Sequence, residues 1–175
     1  MLKIYYSLFI LLVLLYSCNN EKKEANKMVK EWVGKEIKLP ILTANLHGKD
    51  TLCPQLFKQN NKILIYIDSL QCIPCRLHFF DWKLLIDEVK RDFPNTAFLI
   101  YINSSNINEI DILQKENRFY YPIFYDTENQ LDKINNLPKN EQFQTFLLDK
   151  NNRVVLIGNP VRNPQMWNLY KKSIK

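Results

Sequence analysis

The sequence predicts an α/β fold in which helices flank a central mixed β-sheet. Two near-continuous apolar runs, 62–68 and 96–102, are typical of strands that are buried on both faces of a parallel sheet. A segment with helical spacing of apolar residues separates them, as a right-handed βαβ crossover requires. Two further apolar runs, 143–148 and 153–157, flank a polar turn and therefore predict an antiparallel hairpin.

Shorter patterns predict the other elements, and no internal repeat is visible. In chain order they are a lead-in segment with short strands at 32–42, helices at 74–91 and 107–117, a short strand at 121–125, a short helix at 128–134 and a final helix at 164–172. The helix at 74–91 ends before Pro94, and its apolar residues are Leu77, Phe80, Leu84, Leu85 and Val89. We expect one domain at 32–175, which is long enough to bury a core.

The N-terminus predicts export from the cytoplasm. Lys3 precedes an apolar run at 4–16 that is shorter than the roughly 20 residues of a membrane-spanning helix and ends at Ser17. Leu15-Tyr16-Ser17-Cys18 resembles a bacterial lipobox, which implies a signal peptide at 1–17 and a lipid on Cys18. The domain would then face the periplasm or the surface, anchored to the inner or outer membrane. A signal peptide cut elsewhere and an uncleaved anchor are the alternatives, and both keep the domain outside the cytoplasm.

Residues 18–31 predict a flexible tether between the lipid and the domain, because they are polar, rich in Lys, Glu and Asn, and lack apolar periodicity. The same segment could also form a helix without changing the function.

The chain has 24 basic and 18 acidic residues and a net charge of +6, scattered along its length. Scattered charge of this size disfavours a nucleic acid as partner.

Cys72-Ile73-Pro74-Cys75 is the most informative motif, because it lies where the strand at 62–68 ends and the next helix begins. Two thiols at this spacing can close a disulfide, and the helix N-terminus and Arg76 favour a thiolate. Pro74 suits the first helical turn, where its missing N–H is not needed. Cys72 is therefore the candidate nucleophile, and Cys75 is the candidate resolving thiol.

Two other interpretations of the motif stay open, a zinc site and a purely structural disulfide. Zinc usually takes four ligands, and the chain offers only His47, His78 and Cys53 beyond the two cysteines of the motif. Cys53 itself is predicted to be a buried small apolar residue, a resolving partner or a site of mixed disulfides.

Gln71-Cys72-Ile73-Pro74-Cys75-Arg76 resembles the Trp-Cys-Gly-Pro-Cys-Lys motif that thioredoxins carry at the same strand-to-helix junction. The resemblance covers 32–175, and the lead-in at 32–40 is similar to that of the extracytoplasmic TlpA-like and AhpC/TSA-like branches. It implies a thioredoxin-like fold in which a helix and a strand are inserted before the C-terminal hairpin and final helix. It also implies a thiol–disulfide oxidoreductase of the bacterial cell envelope that needs no cofactor.

The same resemblance implies partners and further site residues. The partners would be disulfide-containing envelope proteins and a membrane electron donor, with Ile73 at the rim influencing the choice of substrate. Gln144-Thr145 falls where thioredoxins carry a cis-proline followed by threonine, so both residues are candidates for shaping the substrate site. We expect a trans peptide bond before Gln144, because a cis bond without proline costs about 3 kcal/mol. The Gln144 amide would then hydrogen-bond a substrate or shield the sulfurs.

Tyr66 stands where thioredoxins carry a buried acid that shuttles protons, and a phenol is a poor base near neutral pH. Asp68 and Glu141 are the candidate substitutes. His78 could share a helical face with Cys75, but we expect it to pack beside Phe79-Phe80. Phe80 replaces a proline that kinks the corresponding helix in thioredoxins, which predicts a straighter helix here.

Two rival functions remain. A non-catalytic lipoprotein of thioredoxin fold that binds an envelope partner would explain the missing proline at Gln144. A thiol peroxidase is the other, although peroxidases of this type usually have Thr-x-x-Cys and this chain has Ser69-Leu70-Gln71-Cys72.

Overall fold

A seven-stranded mixed β-sheet forms the centre of the computed structural model, which describes residues 22–46, 49–68 and 77–174. The strands are β1 (Ala44–Leu46), β2 (Lys49–Thr51), β3 (Asn61–Ile67), β4 (Thr96–Ile102), β5 (Ile123–Tyr125), β6 (Thr145–Leu148) and β7 (Val154–Ile157). Their order across the sheet is β2-β1-β5-β4-β3-β6-β7. The predicted signal peptide at 1–17 and Cys18 lie outside the described residues.

Strand pairing follows the predicted α/β pattern. β3 and β4 run parallel over their full lengths, from Asn61 opposite Thr96 to Ile67 opposite Ile102, and β4 and β5 are also parallel. On its other side β3 pairs antiparallel with β6, and β6 and β7 form an antiparallel pair. The parallel pair, the inserted strand and the C-terminal hairpin are therefore confirmed.

Helices cover the sheet and connect its parallel strands. They are α1 at 22–32, α2 (Pro54–Phe57), α3 (Phe79–Asp92), α4 (Ile107–Glu116), α5 (Gln130–Asn135) and α6 (Pro164–Ser173), and Glu141–Phe143 form a 3-10 turn. Asparagine side chains cap two of these helices: Asn106 accepts from the backbone N–H of Glu109, and Asn163 from that of Met166. α6 also has Pro164 in its first turn, where proline is favoured.

The alternation of side chains along β3 divides the core into two clusters on opposite faces of the sheet. Ile63, Ile65 and Ile67 belong to the first cluster, together with buried residues of α3, α4 and α6. Leu64 and Tyr66 belong to the second, together with residues from the lead-in segment, β4, β5 and β6. β3 is buried along its whole length, as the continuous apolar run predicts.

α1 occupies most of the segment for which we expected a flexible tether. Ala25 and Met28 pack against the second core cluster, and Trp32 at the end of the helix is buried in it. Their spacing of three and four residues is a helical pattern, which is weak in the sequence because it consists of three side chains in a mostly charged segment. Glu24 also accepts a hydrogen bond of 2.9 Å from the Asn140 side chain.

α3 buries a face that shares Val89 with the predicted one but is otherwise rotated from it. Its buried residues are Phe79, Trp82, Ile86 and Val89. Phe80 is 70% exposed and Leu84 is 54% exposed, so the expectation that both belong to the core face is wrong. The larger apolar area of two aromatic rings explains why this face turns to the sheet.

The lead-in segment at 32–42 contains less strand than predicted. Glu36 forms an isolated bridge with Arg153, and the paired strands β1 and β2 come later in the chain. These strands are three residues long and partly polar, so they lack the apolar run from which a strand is predicted.

None of the helices in the described part of the chain is long and apolar enough to cross a membrane.

Lys62 is fully buried in β3, where its Nζ donates to the carbonyl oxygens of Gln59 at 3.0 Å and Lys150 at 3.3 Å. Burial lowers the pKa of Lys62, and the nearby charge of Asp149 partly opposes this shift. As the pH rises through the lowered pKa, the unfolded chain holds more protons at this site than the native state, so the native state gains stability. The free energy of unfolding of Lys62→Met minus that of the wild type is expected to fall between about pH 7 and about pH 10 in urea titrations, because only the wild type gains stability from this site. A value of this difference that rises over the same range would contradict the lowered pKa.

Candidate functional site

The candidate site lies at the carboxyl end of β3, an internal strand between β4 and β6. Cys72 and Cys75, together with Ile73, Pro74 and Arg76, fall outside the described residues. The structure describes what brackets them: β3 ends at Ile67, Asp68 follows, and α3 begins at Phe79. The motif therefore connects an internal strand to a helix that packs on the first core cluster.

His78 interrupts the predicted helix at 74–91. It adopts a left-handed backbone conformation, with φ 36° and ψ 42°, so α3 begins after it rather than running straight from the cysteine motif. Its Nδ1 lies 3.7 Å from Asp81 Oδ2, and the same oxygen accepts a 2.9 Å hydrogen bond from Arg162 Nε. Sequence periodicity cannot reveal a single residue in this conformation, although histidine adopts it more readily than most residues do.

Gln144 and Thr145 lie at the start of β6 and are both buried. The Gln144 side chain donates from Nε2 to the carbonyl oxygen of Pro138 at 2.9 Å, and the backbone carbonyl of Gln144 accepts from the Tyr66 N–H at 3.0 Å. The described part of the chain contains no cis peptide bond, as we expected before Gln144. Gln144 is only 1% exposed, and its side-chain amide donates to a carbonyl of its own loop. This hydrogen bond therefore stabilises the loop before β6.

Tyr66 lies in the second core cluster behind the end of β3. Its hydroxyl donates to Asn129 Oδ1 at 2.7 Å. Burial, followed by the nearby carboxylates of Asp68 and Asp132, raises the pKa of Tyr66 well above its ordinary value. The phenol therefore stays protonated over the working pH range and does not act as a base, as the sequence predicts.

Replacing Tyr66 with Phe is expected to lower the free energy of unfolding by about 1 kcal/mol, because Asn129 then loses its hydrogen-bond donor. Urea titration measures this loss. The phenol does not titrate in the working range. The rate of Cys72 alkylation is therefore expected to depend on pH in the same way in Tyr66→Phe as in the wild type. A shifted alkylation profile would contradict a purely structural role for the hydroxyl.

Asp68 and Glu141, the two candidate substitutes for the buried acid, lie in different environments. Asp68 is 7% exposed, and its Oδ1 accepts from Asn103 Nδ2 at 3.4 Å. Its charge also acts on Tyr66, which places it in the polar cluster at the end of β3. Glu141 is exposed in the 3-10 turn. Asp68 is therefore the stronger candidate of the two, because it is buried and comes four residues before Cys72 in the chain.

The loop before β6 is held by buried polar side chains that the sequence analysis missed. Asp126 accepts from the N–H groups of Gln130 and Leu131 at the start of α5, at 2.7 and 2.8 Å. Asp132 then accepts from the Leu137 N–H at 2.8 Å and from Lys139 Nζ at 2.7 Å. An aspartate just before a short helix is a capping signal that could have revealed the first of these roles.

Asn135 connects the same region to the lead-in segment. Its side chain exchanges two hydrogen bonds of 2.8 Å with the backbone of Lys38, which is 97 residues away in sequence. A contact over this distance leaves no local pattern, so sequence reasoning could not have found it.

Cys53 is a buried free thiol in the second core cluster, just before α2. This position agrees with the predicted role of a small apolar core residue.

Comparison with known proteins gives structural matches alone. No family model matches the chain, and no curated protein matches it significantly. A protein from Chlorobium tepidum assigned as the thiol:disulfide interchange protein DsbE has a TM-score of 0.60 at 14% identity, covering 82% of this chain and 99% of that chain. A cysteine-to-serine variant of PrxQ from Xylella fastidiosa has a TM-score of 0.59 at 15% identity, covering 82% of this chain and 97% of that chain.

StoA from Bacillus subtilis is also similar, with a TM-score of 0.51 at 19% identity over 73% of this chain and 94% of that chain. Together these structures define the class: the chain has a thioredoxin-like α/β fold, as the sequence predicts. At this level of identity the similarity shows the fold, and the chemistry has to be argued from the residues of this chain.

Proposed function

We propose that this chain is a thiol–disulfide oxidoreductase of the bacterial cell envelope that reduces or exchanges disulfides in exported proteins. The observation that carries the proposal is the position of Cys72-Ile73-Pro74-Cys75 in a thioredoxin-like fold, between an internal strand that ends at Ile67 and a helix that begins at Phe79. The two similar structures named DsbE and StoA support it, since DsbE is assigned as a thiol:disulfide interchange protein.

The proposed reaction needs the two thiols and no metal or organic cofactor. The Cys72 thiolate attacks one sulfur of a substrate disulfide, the substrate S–S bond breaks, and the leaving thiolate takes up a proton. The Cys75 thiolate then attacks the Cys72 sulfur of the mixed disulfide and releases the second substrate thiol. Two electrons pass to the substrate, and Cys72 and Cys75 become a disulfide that a membrane electron donor reduces again.

The proposed location rests on the N-terminal sequence. With a signal peptide at 1–17 removed and a lipid on Cys18, the described part of α1 begins four residues after the anchor. Four residues reach at most about 14 Å, so the domain would lie close to the membrane. Labelling with a radioactive fatty acid tests this: the wild type is expected to carry the label, and Cys18→Ser is expected to lose it.

A thiol peroxidase is the second candidate, and the similarity to PrxQ favours it. In that reaction Cys72 would reduce hydrogen peroxide and Cys75 would resolve the resulting sulfenic acid as a disulfide, with water as the other product. Peroxide consumption by the reduced protein separates the two candidates. A rate well above that of a free thiol would favour the peroxidase.

Trapping of partners tests the principal proposal. In Cys75→Ser the mixed disulfide on Cys72 has no resolving thiol, so the variant is expected to accumulate covalent complexes with envelope proteins that dithiothreitol releases. Cys53→Ser is the matched control, because it also removes one thiol but leaves the motif intact. If neither the wild type nor Cys75→Ser forms such complexes, the alternative of a non-catalytic binding lipoprotein takes the place of the proposal.

A further inference from the structure

A groove lies where the N-terminus of α3, the C-terminus of α4 and the β7–α6 loop meet. Its volume is about 200 Å³. The residues that matter for its chemistry are His78, Phe80, Asp81, Leu113, Asn117 and Arg162. A cavity of about 150 Å³ accommodates benzene, so this groove has room for one aromatic or large aliphatic side chain.

One wall of the groove is apolar and open. Phe80 lines it while 70% exposed, and Leu113 lines it from α4. An exposed aromatic side chain beside a cavity is typical of a surface that becomes covered on binding. The wall therefore fits an apolar side chain of a binding partner.

The other wall is charged. Asp81 holds Arg162 through its Nε at 2.9 Å and lies 3.7 Å from His78 Nδ1. Arg162 is 71% exposed, and within the described part of the chain its Nη1 and Nη2 make no hydrogen bond. Guanidinium N–H groups arranged in this way bind carboxylates well.

The backbone conformation of two groove residues sets the direction of their side chains. His78 and Arg162 both line the groove and both have a positive φ, of 36° and 56°. Four other non-glycine residues of the described chain share this conformation and do not line the groove, so it positions these side chains without by itself marking a binding site.

The groove is connected to the cysteine motif through the chain. Leu77, which lines the groove, comes two residues after Cys75 and five after Cys72. At about 3.5 Å per residue, the Cα of Cys75 can be no more than about 7 Å and that of Cys72 no more than about 18 Å from the Cα of Leu77.

On the basis of the proposed function, we propose that the groove is a docking subsite for the segment that flanks the cysteine of a substrate protein. It takes a large apolar side chain next to a carboxylate: the apolar side chain lies against Phe80 and Leu113, and the carboxylate accepts from Arg162. Without Lys3 of the predicted signal peptide the formal net charge falls from +6 to +5, and this positive charge favours an acidic segment.

Activated peptides test the subsite directly. Each peptide contains one cysteine as a mixed disulfide with 5-thio-2-nitrobenzoate, with a leucine and a glutamate placed at varied positions on either side. The Cys72 thiolate attacks the peptide sulfur and displaces the coloured thiolate, whose release gives the rate. Each rate is divided by the rate with the small disulfide 5,5′-dithiobis(2-nitrobenzoate), so that changes in intrinsic thiol reactivity cancel.

For the best peptide, Phe80→Ala and Arg162→Gln in the full-length protein are expected to lower this ratio about tenfold, equivalent to about 1.4 kcal/mol. The matched controls are Leu84→Ala, an exposed apolar residue one turn along α3, and Arg91→Gln, an exposed arginine at the far end of that helix. They are expected to keep the wild-type ratio. Exchanging glutamate for lysine in the peptide is expected to remove the effect of Arg162→Gln. Unchanged ratios in both groove variants would overturn the proposal.

A binding measurement separates this proposal from the proposed function. The same peptide with serine in place of cysteine is titrated calorimetrically into the wild type and the four variants. If the wild type fails to react with the small disulfide, the redox proposal fails, while peptide binding that Phe80→Ala and Arg162→Gln abolish still supports the subsite. Binding that all four variants share equally, or no binding at all, would overturn it.

Discussion

Replacing Cys72 with serine is expected to reduce thiol–disulfide exchange to the background rate. A hydroxyl at this position has a far higher pKa than a thiol and does not attack disulfides near neutral pH, so no mixed disulfide can form. The assay is the reduction of insulin disulfides by the full-length protein in the presence of dithiothreitol. Cys75→Ser is expected to complete the first step and stop at the mixed disulfide.

Cys53→Ser is the control for this experiment, because Cys53 is a buried thiol in the second core cluster. It is expected to keep its exchange activity, with at most a small loss of stability. Thermal unfolding of all three variants shows whether each is folded. A folded Cys72→Ser variant that retains wild-type activity would refute the assignment of Cys72 as the nucleophile.

Replacing Trp32 with alanine is expected to lower the free energy of unfolding by about 3 to 5 kcal/mol. Trp32 is among the largest fully buried side chains, its ring lies 5.3 Å from that of Phe146, and Lys35 Nζ lies 3.8 Å from its centroid. The substitution leaves a cavity in the second core cluster and detaches the end of α1. Urea titration followed by circular dichroism measures the loss.

Two variants make this result interpretable. Val33→Ala, at the exposed neighbouring residue, is expected to change stability by no more than about 0.5 kcal/mol. Trp32→Phe keeps an aromatic ring in the cluster and is expected to lose less than Trp32→Ala, which gives a folded reference if the alanine variant does not fold. If Trp32→Ala is as stable as Val33→Ala, the packing of α1 onto the domain is not as described.

The sequence predicts the centre of the fold well because burial on both faces leaves a continuous apolar run. The run at 96–102 coincides with β4, and that at 62–68 is within one residue of β3. α1 could be predicted only as an alternative to a flexible tether, because its core contacts are the spaced residues Ala25, Met28 and Trp32 in a mostly charged segment. The short strands β1 and β2 were missed because pairing, not composition, makes them strands.

At the site, the sequence predicts the chemistry of single residues better than their orientation. It identifies Tyr66 as a phenol in place of an acid, and the structure adds the hydrogen bond to Asn129 that holds it. It identifies Gln144 in place of a proline, but the direction of its amide depends on Pro138, whose position is fixed by the fold. The groove at Arg162 joins α3, α4 and the loop before α6, so no sequence motif contains it.

The redox potential of the Cys72–Cys75 couple in the full-length protein tests the central claim most directly. The protein is equilibrated in a series of glutathione or dithiothreitol buffers, and its thiols are alkylated and counted by mass spectrometry. The proposal predicts a reversible two-electron couple within the range of about 150 mV that known thioredoxin-fold oxidoreductases span, with a low value for a reductant and a high value for an oxidant. A pair of cysteines that stays in one state across the series, without preferential reaction of Cys72, would contradict it.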